Sequence, residues 1–177
     1  MKKASILFIC LLIIVLIVGC NGENSNESNV ENESSVVTVA SKEDFETYLN
    51  EITPIQLQLE AMVQNYDAIR NKSTVGENAD IEIREELVNE VIPRIVDLLT
   101  ESAYLIPHKE FRDTHELSND MIAKFYQALT EIVKSIDNAD ASKMTSAKVL
   151  LTEQNKIARD FTNDMQNFAN KYGVELK

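Results

Sequence analysis

The chain has 177 residues and a formal net charge of −12, with 29 acidic side chains against 17 basic ones. Proteins that bind nucleic acid neutralise phosphates with clustered Lys and Arg, so this balance argues against a nucleic-acid partner. Trp is absent, aromatic residues make up 6% of the chain, and four Gly and three Pro leave few turns. This composition disfavours a β-sandwich or barrel and favours helices.

The first twenty residues have the form of a secretory leader. Met1-Lys2-Lys3 is short and positive, and residues 4–18 form a mostly apolar run. That run is shorter than the roughly 20 residues of a free-standing transmembrane helix. It closes on Ile17-Val18-Gly19-Cys20, which resembles the lipobox of bacterial lipoproteins. The resemblance implies diacylglyceryl transfer to the Cys20 thiol, cleavage between Gly19 and Cys20, and a mature chain that begins at the lipidated cysteine.

The resemblance also implies attachment to the outer, extracytoplasmic face of a membrane. One acyl chain holds a protein only reversibly, at about 0.8 kcal/mol per buried CH₂, so several chains such as palmitate on Cys20 would make a durable anchor. The alternative is an uncleaved amino-terminal helix with an incidental cysteine. Cys10 lacks a preceding small residue and is interpreted as apolar filler. No cysteine follows Cys20, so packing rather than disulfides must stabilise the rest of the chain.

The sequence divides into a signal peptide over 1–19, a lipidated spacer over 20–40 and a helical domain over 41–177. Residues 21–35 are almost all Asn, Glu, Ser and Gly, a composition typical of a disordered spacer. About 20 such residues span around 25 Å. The β-prone residues 36–40 are expected to pack extended ahead of the first helix, with a short strand as the alternative.

The first helical segment begins with a capping sequence. Ser41 stands at the N-cap position with the acidic Asp44 three residues on, and apolar residues follow at helical spacing. Thr53-Pro54 would serve as N-cap and first helical residue, so the segment is either one kinked helix or two shorter helices. Residues 71–80 are the predicted connecting loop. The predicted inner stripe comprises Phe45, Tyr48, Leu49, Ile52, Leu59, Met62, Val63, Tyr66 and Ile69.

A second segment, from about 81 to 105, is predicted to bend at Pro93. It ends at Ile106-Pro107, because the residue before a proline avoids helical angles. A third segment begins near His108, and a turn at 137–140 follows it and supplies the next N-cap. The predicted inner stripes are Leu87, Val88, Val91, Ile95, Leu98, Leu99 and Leu105 in the second segment, and Phe111, Met121, Ile122, Phe125, Leu129, Ile132, Val133 and Ile136 in the third.

The fourth segment has the most regular apolar repeat, with alternating steps of three and four residues. Such a stripe needs a partner helix, from this chain or from a second copy. Gly173, which can take left-handed angles, closes the helix. Short connections between helices of matched length predict an all-α fold: an antiparallel up-down four-helix bundle with Pro-kinked first and second helices. The stripe comprises Met144, Ala147, Leu151, Gln154, Ala158, Phe161, Met165, Phe168 and Tyr172.

The helical domain carries no recognisable catalytic or metal-binding motif. His108 and His115 are seven residues apart, about 10 Å along a helix, whereas zinc ligands lie within about 2.1 Å of the ion. His-Glu-x-x-His, Gly-x-Ser-x-Gly and glycine-rich phosphate loops do not occur in the sequence. We therefore predict no metal, no cofactor and no enzymatic activity.

One polar feature lies on the inner stripes. His115 falls on the same line as Phe111 and Ser118, so it is predicted to form a polar layer opposite Ser102 across the turn. The alternative is a flanking histidine with a single hydrogen bond. Both interpretations rest on spacing alone.

The residue usage, rich in Lys, Asn, Ile and Glu, resembles that of small all-helical lipoproteins of Gram-positive bacteria. We therefore expect a membrane-anchored protein whose acidic helical domain is an interaction or accessory module for another envelope protein. The alternative is a carrier or sensor that holds a small apolar or cationic ligand between the helices kinked at Pro54 and Pro93. An exposed apolar groove would favour the first function, and an enclosed cavity the second.

Overall fold

A computed structural model of the chain describes residues 39–72 and 79–176. The described residues belong to a unit that begins at Val39. The signal peptide, the lipobox with Gly19 and Cys20, and the spacer up to residue 38 lie outside the described residues. The predictions made for those segments therefore stay predictions.

Four helical segments make up the described chain. Helix α1 is Lys42–Lys72, and α2 is a continuous segment composed of Ala79–Glu86, a π-helical turn at Leu87–Val91, and Ile92–Tyr104. A 3₁₀ turn at Lys109–Phe111 leads into α3, Arg112–Asn138, and α4 is Ala141–Tyr172. The described ranges contain no strand, so the prediction of an all-α fold is confirmed. The loop predicted at 71–80 is too long, because residues 71, 72, 79 and 80 are helical.

Helix α1 runs unbroken through Pro54. The alternative of two shorter helices is therefore wrong. A proline inside a helix costs about 3 kcal/mol, since it removes a backbone hydrogen bond. Ile52 and Ile55 on either side are 1% and 0% exposed, and burial of an isoleucine contributes roughly 1.5–3 kcal/mol. Packing of these two side chains is thus large enough to offset the cost of Pro54.

Three predicted helix ends, at Ser41, Asp140 and Gly173, are confirmed by the structure. The Asp44 backbone N–H donates to Ser41 Oγ at 3.1 Å, and the Ser41 N–H donates to Asp44 Oδ2 at 2.7 Å, which completes a capping box. At the start of α4, the Ser142 N–H donates to Asp140 Oδ1 at 2.9 Å. Gly173 ends α4 with a left-handed φ of 63°.

The turn between α3 and α4 contains a strained residue. Ala139 takes a φ of 50° and a ψ of 38°, a left-handed conformation that disfavours residues with a Cβ. Hydrogen bonds around it hold the turn: the Asp140 N–H donates to the Ser135 carbonyl at 3.0 Å, and Ser135 Oγ donates to the Asp140 carbonyl at 2.9 Å. The turn therefore keeps its shape at the expense of strain in Ala139.

The predicted inner stripes form the core. Every residue assigned to them is buried or half-buried, and the stripe of α4 packs within the chain. Three further buried residues of the helices, Ile55, Ala128 and Ala169, lie outside the predicted stripes.

A cluster of aromatic rings closes one end of the unit. Phe111 lies at the centre of the cluster and is 0% exposed. Its ring centroid is 5.0 Å from that of Phe168, 5.4 Å from that of Tyr48 and 5.5 Å from that of Phe45. Tyr172 stacks on Phe45 at 5.5 Å. These rings bring together the start of α1, the start of α3 and the end of α4. We call this the aromatic end.

Two polar contacts show which parts of α3 and α4 lie against each other. Thr114 Oγ1 donates to Asp164 Oδ2 at 3.0 Å, near the start of α3 and the end of α4. Farther along α3, Lys124 Nζ donates to Glu153 Oε2 at 2.7 Å. Residue numbers therefore fall along α4 as they rise along α3.

Candidate functional site

The structure places the three residues of the predicted polar layer in the interior. Ser102 in α2 is 0% exposed, and His115 and Ser118 in α3 are 4% and 0% exposed. Gly19 and Cys20, the predicted cleavage and lipidation residues, lie outside the described residues.

His115 and Ser102 are in direct contact. His115 Nε2 lies 3.0 Å from the Ser102 backbone carbonyl. A carbonyl oxygen only accepts hydrogen bonds, so we assign the proton to Nε2. The contact fixes the imidazole against the last turn of α2. In the neutral ring, Nδ1 is then left as an acceptor.

Further side chains extend this contact into a layer that links three helices. Ser102 Oγ donates to Asn119 Oδ1 at 2.6 Å, and Gln56 Nε2 of α1 donates to Ser118 Oγ at 2.6 Å. We call Gln56, Ser102, His115, Ser118 and Asn119 the polar layer. The structure thus pairs His115 with Ser102 and pairs Ser118 with α1.

Sequence reasoning missed Gln56, although a signal for it exists. Gln56 stands four residues after Ile52 and three before Leu59, which places it on the inner stripe of α1. A glutamine at such a position needs a polar partner when it is buried. That partner, Ser118, is 62 positions away and cannot be read from local spacing.

Two buried polar atoms have no hydrogen-bond partner among the described residues: His115 Nδ1 within the layer and the Tyr48 hydroxyl beside it. The two rings meet edge to face with centroids 6.0 Å apart. Burial raises the pKa of the Tyr48 hydroxyl, so this group stays neutral. His115 also lines a small cleft of about 180 Å³ with Leu105, Ile106, Pro107, Arg112 and Glu116.

Glu110 ties three parts of the aromatic end together. Its carboxylate accepts hydrogen bonds from Lys171 Nζ, from the Tyr172 hydroxyl at 2.8 Å, and from the Ala40 backbone N–H at 3.4 Å. The bond from Lys171, followed by that from Tyr172, holds the Glu110 pKa below its ordinary value. We call this arrangement the Glu110 clamp. No local pattern predicted it, because its partners lie 61 to 70 positions away.

An open groove runs along the outside of the α3–α4 pair. Its volume is about 680 Å³. Val149 is the most exposed large apolar side chain in it, at 53%. Glu131 in its lining pairs with Lys134 at 2.8 Å and with Lys143 at 3.4 Å. The lining residues are Tyr126, Gln127, Thr130, Glu131, Lys134, Ser146, Val149 and Leu150.

The interior beside the two prolines is filled by side chains. Pro54 and Pro93 are themselves exposed. Ile55, Val91 and Ile95, which lie one or two positions away from the prolines, are 0%, 1% and 0% exposed. The groove along α3 and α4 is lined by none of these residues.

Comparison of the chain with models of protein families, with curated proteins and with solved structures finds no match. Within residues 39–72 and 79–176, no helix is both long and apolar enough to cross a membrane. The same ranges hold no group of three His, Cys, Asp or Glu side chains arranged to bind a metal ion.

Proposed function

We propose that the chain is a membrane-anchored, extracytoplasmic lipoprotein, and that its acidic helical domain is an interaction or accessory module in the cell envelope. The observation that carries this proposal is Ile17-Val18-Gly19-Cys20 at the end of an apolar run that follows two lysines. The Cys20 thiol supplies the nucleophilic sulfur for diacylglyceryl transfer. Two or three acyl chains on this residue then hold the domain at the membrane.

The anchor is tested by two matched cysteine variants in a bacterial host. Cys20→Ala should leave the leader attached or release the protein from the membrane, whereas Cys10→Ala should behave as the wild type. Cell fractionation measures attachment, and mass spectrometry of the mature amino terminus measures the lipid. An unmodified Cys20 thiol in wild-type protein, or Cys20→Ala that has lost its leader and is still anchored as firmly as the wild type, contradicts the proposal.

The open groove supports an interaction module more than a carrier. Its lining combines the apolar side chains of Tyr126, Val149 and Leu150 with the charged side chains of Glu131 and Lys134. This combination suits an amphipathic helix, which lays its apolar face into a groove and its polar face toward the rim. We therefore propose a helical segment of another envelope protein as the partner.

A photo-cross-linking amino acid at Val149 tests the module. Val96 in α2 is a matched control, because it is also a valine and is 43% exposed. In intact membranes, position 149 should give one dominant adduct that position 96 does not give. The same pattern of adducts at both positions, or no adduct at 149, contradicts the proposed groove.

The carrier alternative requires helices that bend at Pro54 and Pro93. We propose that the first and second helices do bend at these prolines. The π turn Leu87–Val91 ends just before Pro93. The N–H of Ile92, the residue after this turn, donates to the Leu87 carbonyl, five residues back. Both π turns and prolines are common causes of helix bending. The filled interior beside them, however, supports helices that curve around the core rather than an internal ligand pocket.

We also propose that the helices alternate in direction, as in an up-down bundle. The order of the α3–α4 contacts supports this arrangement. For α2 and α3, Ser102 meets Asn119 at one end and Arg84 bonds Asp137 at the other, so their residue numbers also run in opposite order. Pairs of spin labels near the helix ends would measure the distances between those ends. A short distance between the start of α1 and the start of α2 would contradict the arrangement.

A further inference from the structure

The most exposed large apolar side chains of the described chain lie at the end of α2, in the connection that follows it, and just before α1. Ile106 is 83% exposed and Tyr104 is 78% exposed, and Val39 follows at 75%. All three lie at the aromatic end. The connection leads into Phe111, whose ring is 6.0 Å from that of His108, and Val39 precedes Ala40, which the Glu110 clamp holds.

The charges of this segment differ from those of the chain as a whole. Lys109 and Arg112 are exposed, and neither makes an ion pair with a described residue. Glu110, the acid between them, is engaged by Lys171. Asp113 and Glu116 follow on the next turn of α3, so the local surface is close to neutral in a chain of net charge −12.

This combination of side chains matches the interface of a lipid bilayer. Tyrosine sits at headgroup level with its apolar body inward and its hydroxyl in water, and isoleucine gains from leaving water. Lysine and arginine extend their charged ends toward phosphates while their alkyl parts stay in the apolar layer. Near-neutral charge removes the repulsion that the acidic remainder of the domain would meet at anionic headgroups.

The amino-terminal entry of the chain into the helical unit is at the same end. Cys20 is 19 positions before Val39, and the chain enters the helical unit at Val39. The opposite end, where Arg84 bonds Asp137, is about 40 Å away along the 27 residues of α3. Three apolar side chains bind a bilayer weakly by themselves, but a tether makes their binding intramolecular and therefore far more favourable.

We propose that the segment from Tyr104 to Arg112, together with Val39, docks into the headgroup region of the bilayer that holds Cys20. The docked segment turns the aromatic end toward the membrane and points the far ends of α3 and α4 outward. The inference rests on the lipid anchor proposed above and goes beyond it, because a tether alone leaves the orientation of the domain free.

The absence of Trp from the sequence provides a clean reporter. Ile106→Trp places the single tryptophan in the docking segment. Ile81→Trp is the matched control, since Ile81 is 54% exposed in the first turns of α2, toward the opposite end. Both variants are prepared as lipidated full chains in phosphatidylcholine and phosphatidylglycerol vesicles, with and without brominated acyl chains.

The emission of Ile106→Trp should shift to the blue and lose most of its intensity in brominated vesicles, whereas that of Ile81→Trp should change in neither respect. Adding Tyr104→Ser to Ile106→Trp should reduce the quenching. Vesicle flotation and the mass of the amino-terminal residue report separately on the anchor.

Lipidated protein that floats while Ile106→Trp stays unquenched overturns the docking inference and leaves the anchor standing. A blue shift without bromine quenching also overturns it, because a protein surface would then cover the segment. A chain with unmodified Cys20 that does not float overturns the anchor, and the docking inference falls with it.

Discussion

Removal of the Tyr48 hydroxyl should stabilise the domain. The side chain is 2% exposed, and its hydroxyl has no hydrogen-bond partner among the described residues. A buried hydroxyl without a hydrogen-bond partner destabilises the folded state by about 1–3 kcal/mol. Removing it should recover part of this free energy, because the small void left by the oxygen offsets the rest. We therefore expect Tyr48→Phe to raise the free energy of unfolding by about 1 kcal/mol.

Tyr172→Phe is the matched control, with the opposite expected sign. Tyr172 belongs to the same aromatic cluster, but its hydroxyl donates to Glu110 at 2.8 Å. Hydrogen bonds to charged groups contribute about 1.5–3 kcal/mol, and partial exposure of this one reduces the value to about 1 kcal/mol. The same chemical change at two neighbouring rings should therefore stabilise in one case and destabilise in the other.

Urea and thermal unfolding followed by circular dichroism measure both changes. For a domain of this size, 1 kcal/mol corresponds to a shift in Tm of about 3 °C, upward for Tyr48→Phe and downward for Tyr172→Phe. The urea m-value should be unchanged in both variants. A loss of stability in Tyr48→Phe comparable to that in Tyr172→Phe would refute the reasoning, because it would mean that the Tyr48 hydroxyl has a partner, such as an internal water bridging to His115.

Three further changes follow from local geometry. Ala139→Gly should raise the free energy of unfolding by about 0.5–1 kcal/mol, because glycine adopts left-handed angles without strain. This is the net effect after the greater flexibility of glycine in the unfolded chain has offset part of the gain. Ser41→Ala should cost about 1 kcal/mol, since it removes the capping bond to the Asp44 N–H. The folded-state pKa of Glu110 lies below the ordinary 4.5 because of Lys171, so its contribution is fully present above pH 4.5 and is lost as pH falls through the folded pKa.

Chemical denaturation measures each of these changes. Ala123→Gly, inside α3, is the control for Ala139→Gly and should destabilise by about 1 kcal/mol; the same sign at both positions would contradict the assigned strain. Ser146→Ala is the control for Ser41→Ala, because Ser146 is an exposed serine inside α4 whose hydroxyl donates only to the Ser142 carbonyl of its own helix, and it should have little effect. Glu110→Gln should be less stable than the wild type near neutral pH, and the difference in stability should shrink as the pH falls into the acid range. A difference that is constant with pH would mean that ionisation of Glu110 does not stabilise the fold.

Local sequence was sufficient for the parts of the fold that depend on neighbouring residues. The capping box at Ser41, the N-cap at Asp140 and the left-handed closure at Gly173 each involve partners within a few positions. Pro54 could not be resolved in the same way. Whether α1 breaks there depends on how strongly Ile52 and Ile55 are buried, and that burial is a property of the packed core.

The candidate sites show the same division between local and distant partners. Spacing placed His115 and Ser118 on one stripe, and it pointed to Ser102 because only a short turn separates α2 from α3. The Glu110 clamp could not be anticipated, because its partners belong to the far ends of the domain. Ala139 was also unforeseen, since an alanine in a left-handed turn is recognised only from its backbone angles.

The Glu110 clamp also determines how the domain responds to mechanical load. A pull on the amino-terminal part of the chain arrives at Ala40, whose N–H is bonded to Glu110. Glu110 passes that force to Lys171 and Tyr172 at the last turn of α4, so the first helix is loaded together with its neighbours rather than peeled away alone. The first turn of α1 would therefore resist unravelling under a pull from the amino-terminal side.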